Sequence, residues 1–147
     1  MFGVFFDEEK HYPSYNVRDL DTNDKNVHKD ILEYLSKHDD FDFLLCHLLG
    51  IDHAGHTFHA DHSEIIRKIT ETEQILKEVI NAMDNDTILL INGDHGMTLS
   101  GNHGGDSQKE IRTVFFAYTK SGFPMLKQLN KTSSLSKMKN SLTTLKL

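Results

Sequence analysis

Asn92-Gly-Asp-His-Gly-Met-Thr-Leu-Ser-Gly-Asn-His-Gly-Gly-Asp106 follows directly on the apolar run Thr87-Ile-Leu-Leu-Ile91. The run predicts a buried strand. Behind it come two histidines, two aspartates and five glycines within fifteen residues. Asp94, His95 and His103 offer carboxylate oxygen and imidazole nitrogen, the donor types that hold zinc. Glycines let a backbone turn sharply and come close to a ligand. A strand ending in such a loop is where an open α/β sheet places its site. The competing reading is a glycine-rich surface turn with incidental histidines. No Gly-Lys-Ser/Thr follows the glycines, so the stretch is not a phosphate-cradling P-loop.

Working upstream, Phe43-Leu-Leu-Cys-His-Leu-Leu49 is a second apolar run, bounded by acids and Gly50. It predicts a central strand of a parallel sheet. Within it, Cys46 reads as a buried thiol rather than a ligand or nucleophile, and His47 as a core histidine rather than a ligand. At its carboxyl end comes Gly50-Ile-Asp-His-Ala-Gly-His56, where Asp52 and His56 form a second candidate ligand pair. Between the two runs, Ile65, Ile66, Ile69, Ile75, Leu76, Val79, Ile80 and Met83 recur with helical spacing. They predict a long amphipathic helix from Asp61 or Ser63 to about Met83. The middle of the chain therefore reads strand, ligand loop, helix, strand, ligand loop. Such a βαβ unit puts both loops at one sheet edge. It would bring Asp52 and His56 to Asp94, His95 and His103 across about forty residues of sequence.

The flanks complete an α/β pattern. Val27, Ile31 and Leu35 at four-residue spacing predict a helix over about residues 24–38, with N-cap candidates among residues 19–24. Ile111-Arg-Thr-Val-Phe-Phe-Ala-Tyr118 predicts a further strand, followed by a turn at 119–124. Residues 123–147 are rich in Lys, Ser, Thr and Asn and read as a polar, weakly ordered tail beside a domain of residues 1–122.

Composition sets further bounds. A length of 147 residues fits one compact domain. The net charge of −6 and the lack of a basic stripe argue against nucleic acid as a partner. One cysteine excludes an internal disulfide. No apolar run approaches the roughly eighteen residues of a membrane span, and residues 1–6 are too short for a signal peptide. Ten histidines is a high count, and seven of them lie between His47 and His103.

Asp52, His56 and His103 make one three-ligand zinc set with an open fourth position. Asp94 and His95 supply two donors of a second site that is short of ligands. Two metals about 3.5–4 Å apart form the usual clamp for displacement at phosphorus. That chemistry also calls for another carboxylate and, for covalent catalysis, a hydroxyl nucleophile.

The combination of residues 50–56, Gly93-Asp-His-Gly-Met-Thr98 and His103-Gly-Gly-Asp-Ser107 resembles the alkaline phosphatase superfamily. More narrowly it resembles the GPI ethanolamine phosphate transferases. Pro13-Ser-Tyr-Asn-Val-Arg-Asp-Leu-Asp-Thr22 and Gly104-Gly-Asp-Ser107 look most like the branch acting on the third mannose of the GPI core. The resemblance covers about residues 13–118. It implies zinc at Asp52, His56 and His103, and Asp94 and His95 at a second zinc. His53 and Asp106 are given no ligand role. It further implies a threonine nucleophile and another metal-binding aspartate in an amino-terminal half that nothing here matches. The chain is thus expected to form an incomplete domain: a partial alkaline-phosphatase-like sheet with flanking helices, inactive alone, completed by the missing half. GPI-anchor precursor and phosphatidylethanolamine are the implied partners, on the luminal side of the endoplasmic reticulum membrane. The sequons Asn85-Asp-Thr87 and Asn130-Lys-Thr132 are consistent with that side. The alternatives are a non-catalytic metal-binding remnant and a soluble metal-dependent phosphodiesterase.

Overall fold

A computed structural model describes residues 6–37 and 41–123. The tail after residue 123, the Asn130 sequon and most of the first apolar stretch lie outside the described residues. Three long elements open the chain: α1 (Thr22–Leu35), α2 (Gly50–Phe58) and α3 (Ser63–Ala82). They are followed by β1 (Leu89–Asn92), the short α4 (Gln108–Ile111) and β2 (Phe115–Tyr118).

Helix α1 starts where Asp19 Oδ1 accepts the backbone N–H groups of Asp21 and Thr22 at 3.2 and 3.0 Å. This side chain occupies donors that the first turn leaves without partners. The cap of α3 is His62, whose Nδ1 accepts from the N–H of Glu64 at 3.2 Å. The apolar stripe of α3 meets that of α1. Leu35, Ile75, Val79 and Met83 form the buried core, with Ile31, Phe41, Ile80, Leu89 and Tyr118 packed against it. β1 and β2 pair antiparallel, Leu89 opposite Tyr118 and Asn92 opposite Phe115. The sheet rests on the core at its Leu89–Tyr118 end.

Residues 43–49 are not the parallel strand that the apolar run predicts. Among the described residues the sheet has two strands, β1 and β2, and this segment makes no ladder with either. A buried parallel strand needs hydrogen-bonding neighbours and cover on both faces. Here Phe43 and Leu45 remain 67% and 62% exposed. Cys46, expected to be a buried thiol, is exposed for the same reason. The segment still runs beside the sheet. Phe41 reaches the core alongside Leu89, and His47 Nε2 comes to 3.8 Å from Asp94 Oδ2, just past β1.

A consequence is that Asp52 and His56 lie in a helix rather than in a loop after a strand. The cause is an ion-pair cluster buried between the three helices. Asp24 Oδ1, from α1, accepts the N–H groups of Leu49 and Gly50 at 2.8 and 3.1 Å and so caps α2 from outside it. Its other oxygen lies 3.0 Å from Lys68 Nζ on α3. Lys68 also meets Glu71 at 2.8 Å and Asp21 at 3.2 Å. Gly50 is required at this junction. A Cβ there would sit 2.1 Å from Lys68 Cε and 2.6 Å from the Leu20 carbonyl oxygen.

Candidate metal centre

Helix α2 presents Asp52 and His56 one turn apart on one face, as i, i+4 spacing requires. Two further bonds fix that face. His53, buried on the flank of that face, donates from Nδ1 to the Asp19 carbonyl at 3.0 Å, and Thr57 Oγ1 donates to the Val17 carbonyl at 2.8 Å. Residues 17–19 of the Pro13–Thr22 stretch thereby brace the back of the site. His53 is kept from the metal group by this contact. Asp106 is exposed.

The loop after β1 brings the third group. It folds on itself through Thr98, whose N–H donates to the Asn102 carbonyl at 2.9 Å. It then closes onto the end of α2. His59 Nδ1 donates to the Ser100 carbonyl at 2.9 Å, and the Ala60 N–H to the Leu99 carbonyl at 3.2 Å. Gly101 adopts φ +79°, and a Cβ on it would lie 2.1 Å from the Gly55 carbonyl oxygen. Two residues later His103 arrives over α2. Further on, Glu110 accepts the Gly105 N–H at 2.9 Å and the Ser107 hydroxyl, which closes the 104–107 turn. The Ser107 hydroxyl, the Gly105 amide and the nearby His103 hold the Glu110 carboxyl below its ordinary pKa.

Asp52, His56 and His103 converge, each offering one donor atom, all within 4.8 Å of one another. His56 Nε2 and His103 Nε2 are 3.0 Å apart. Asp52 Oδ1 is 3.5 Å from the first and 3.3 Å from the second. Zinc bonds of about 2.0–2.1 Å at tetrahedral angles place neighbouring donors roughly 3.3–3.4 Å apart. The observed triangle matches those edges. Asp52 Oδ1 is buried with no hydrogen-bond partner, a costly state unless a cation or proton meets it. Two facing imidazole nitrogens beside an unpaired carboxylate oxygen can therefore hold one divalent cation.

Asp94 and His95 stand next to this group. The His95 ring stacks on His103 with centroids 3.8 Å apart and planes at 20°. His95 Nδ1 faces the Gly96 carbonyl at 2.9 Å, to which a proton on that nitrogen would be donated. Asp94 Oδ1 accepts the His95 N–H at 3.0 Å, while Oδ2 lies 3.6 Å from His95 Nε2. His47, expected in the core, instead points outward with its side chain 68% exposed, towards Asp94. Sequence alone gives His59 no part in the site, and no local signal marks either histidine. His47 sits in an apolar run and His59 follows a helix, so only the folded chain gives them partners.

The chain belongs to the metalloenzyme superfamily, whose family model matches residues 7–145. Among curated proteins it is similar to GPI ethanolamine phosphate transferase 3. It is 37% identical over 119 residues to the catalytic subunit from Homo sapiens and 40% identical over 121 residues to the protein from Saccharomyces cerevisiae. The protein from Schizosaccharomyces pombe is 39% identical over 137 residues, which covers 91% of this chain. The chain spans 11%, 12% and 15% of the lengths of these three relatives, respectively. GPI ethanolamine phosphate transferase 2 from Yarrowia lipolytica matches at 35% identity. No solved structure matches the chain.

Proposed function

We propose that this chain supplies the metal-holding part of an ethanolamine phosphate transferase of GPI-anchor biosynthesis. Asp52, His56 and His103 hold one zinc ion, and Asp94 and His95 contribute to a second. The observation that carries the reading is the buried, unpartnered Asp52 Oδ1 facing two imidazole nitrogens. Bound zinc at such a site polarises a phosphoryl oxygen and lowers the pKa of an attacking hydroxyl. The protein's own residues set the geometry. Asp19 and Val17 orient α2 through His53 and Thr57, and His59 with Gly101 holds His103 in place. The three donors leave a fourth coordination position open, where a phosphodiester oxygen would sit.

In this reading the donor is phosphatidylethanolamine and the acceptor a mannose hydroxyl of the GPI precursor, the third mannose by likeness to the transferase 3 relatives. Reaction would take place on the luminal face of the endoplasmic reticulum membrane. Asn85 is exposed, as a glycosylated asparagine there must be. No helix among the described residues is long and apolar enough to cross a membrane.

A chimera tests the reading. The matched segment of the Saccharomyces cerevisiae relative is replaced by this chain, and ethanolamine phosphate transfer to GPI precursors is measured in membranes. Transfer is expected in the chimera and its loss on His103→Ala. A chimera that is folded and zinc-loaded but inactive would favour the non-catalytic remnant.

A further inference from the structure

We infer, resting on the reading of Asp52, His56 and His103 as metal donors, that Met97 is a positioning residue for that group and acts through a notch at Gly55. Gly55 is buried in α2, between Asp52 and His56 in sequence. A Cβ built on it would stand 2.1 Å from Met97 Sδ and 2.7 Å from Met97 Cε. The end of the Met97 side chain therefore occupies the space that a side chain at residue 55 would need. An unbranched, flexible thioether fills such a gap readily.

Met97 lies in the loop between His95 and His103. That loop meets Gly55 through both Met97 and Gly101. Met97 seats in the notch left by the missing Cβ, and Gly101 crosses the Gly55 carbonyl so closely that a Cβ on it would lie 2.1 Å from the oxygen. The His59–Ser100 and Ala60–Leu99 bonds hold the tip of the loop to the far end of α2. Met97 adds a contact on the incoming limb, next to the turn of α2 that carries His56. It is half-buried and stands outside the core of Leu35, Ile75, Val79 and Met83. His103 Nε2 is 3.0 Å from His56 Nε2 and 3.3 Å from Asp52 Oδ1. Binding groups must be held to within about 0.5 Å of their productive geometry. A loop loosened at Met97 carries His103 out of that range.

The test uses the full chain and measures zinc affinity by calorimetry, the visible spectrum with cobalt, and the melting temperature without metal. Met97→Ala should bind zinc roughly tenfold more weakly, the order that groups behind metal ligands contribute. Its cobalt bands should shift, while the metal-free melting temperature stays close to that of the parent chain. Met97→Leu, of similar volume, should recover most of the affinity. Gly55→Ala should weaken zinc binding as Met97→Ala does, although alanine is the better helix residue. In the Met97→Ala background the same Gly55 change should cost nothing more, because the methyl then enters vacated space. Unchanged affinity and spectrum in Met97→Ala, or a loss matched by unfolding of the metal-free chain, overturns the assignment. So does a Gly55→Ala loss that is equally large with and without Met97. The underlying metal reading fails separately, and the role of Met97 with it, if His103→Ala binds zinc as the parent chain does.

Discussion

Lys68 Nζ lies 3.0 Å from Asp24 Oδ2, with the two side chains only 1% and 3% exposed, and the same carboxylate caps the helix that carries Asp52 and His56. One buried ion pair thereby ties α1 and α3 to α2. Removing Asp24 leaves the buried Lys68 charge to Glu71 and Asp21 alone, so the loss falls at the lower end of the about 3–5 kcal/mol that breaking a buried pair costs. Asp24→Ala is expected to lower stability by that order in chemical denaturation. Asp24→Leu with Lys68→Met should recover much of the loss but not the cap, which contributes about 1 kcal/mol.

The cluster also sets acid stability. Hydrogen bonding from Lys68 holds the Glu71 carboxyl below its ordinary value of 4.5. Burial pushes Asp21 up, but Lys68 and Arg67 outweigh it and hold Asp21 below 3.8. Burial likewise opposes the charge on Lys68, yet its acidic partners raise its pKa. A carboxylate with a lowered folded-state pKa contributes stability that is complete above its ordinary value. That stability is lost as pH falls through the lowered one. Thermal unfolding should thus be flat from neutrality to about pH 5 and drop below pH 4.5. Glu71→Gln should flatten the acid limb, and an unchanged limb would remove Glu71 from the account.

Gly101→Ala is expected to disturb metal binding more than folding. The new Cβ would stand 2.1 Å from the Gly55 carbonyl at a backbone φ of +79°. The loop must then lift away from α2, carrying His103 with it. Zinc affinity should fall at least tenfold, while the melting temperature changes by only a few degrees, since the core at Leu35, Ile75, Val79 and Met83 is remote.

His59 gives a milder version of the same effect. From sequence alone its replacement should change little, but its ring fastens Ser100 to the end of α2. It also holds φ +70°, a conformation that suits glycine. His59→Gly relieves the backbone and deletes the hydrogen bond, so stability should hold while zinc affinity drops several-fold. Equal affinity would show that the Ala60–Leu99 bond suffices.

Much of this arrangement was legible in the chain. The stripe from Ile65 to Ile80 sits in α3, and the apolar runs 87–91 and 111–118 each carry a strand over only part of their length, with Ile111 in α4 instead. Asp52, His56 and His103 do meet, though not through the βαβ unit that the sequence suggested. The route by which they meet was not legible. Residues 43–49 have strand composition but no neighbours to pair with, and composition carries no information about neighbours. Helix α2 starts at Gly50 because Asp24, twenty-six residues earlier, offers its carboxylate, and Lys68 balances it from later in the chain. Asp24 and Lys68 sit at positions where sequence patterns predict solvent-facing charge. Only their mutual burial explains them.

Asp52, His56 and His103 are expected to bind one divalent metal ion together. This is tested most directly by crystals of the full chain grown with zinc, with diffraction recorded on both sides of the zinc edge. An anomalous peak is expected about 2.0–2.2 Å from Asp52 Oδ1, His56 Nε2 and His103 Nε2. Zinc bound elsewhere on the chain, with the Asp52 carboxylate filled by a proton or water and no peak between the two imidazoles, would contradict it.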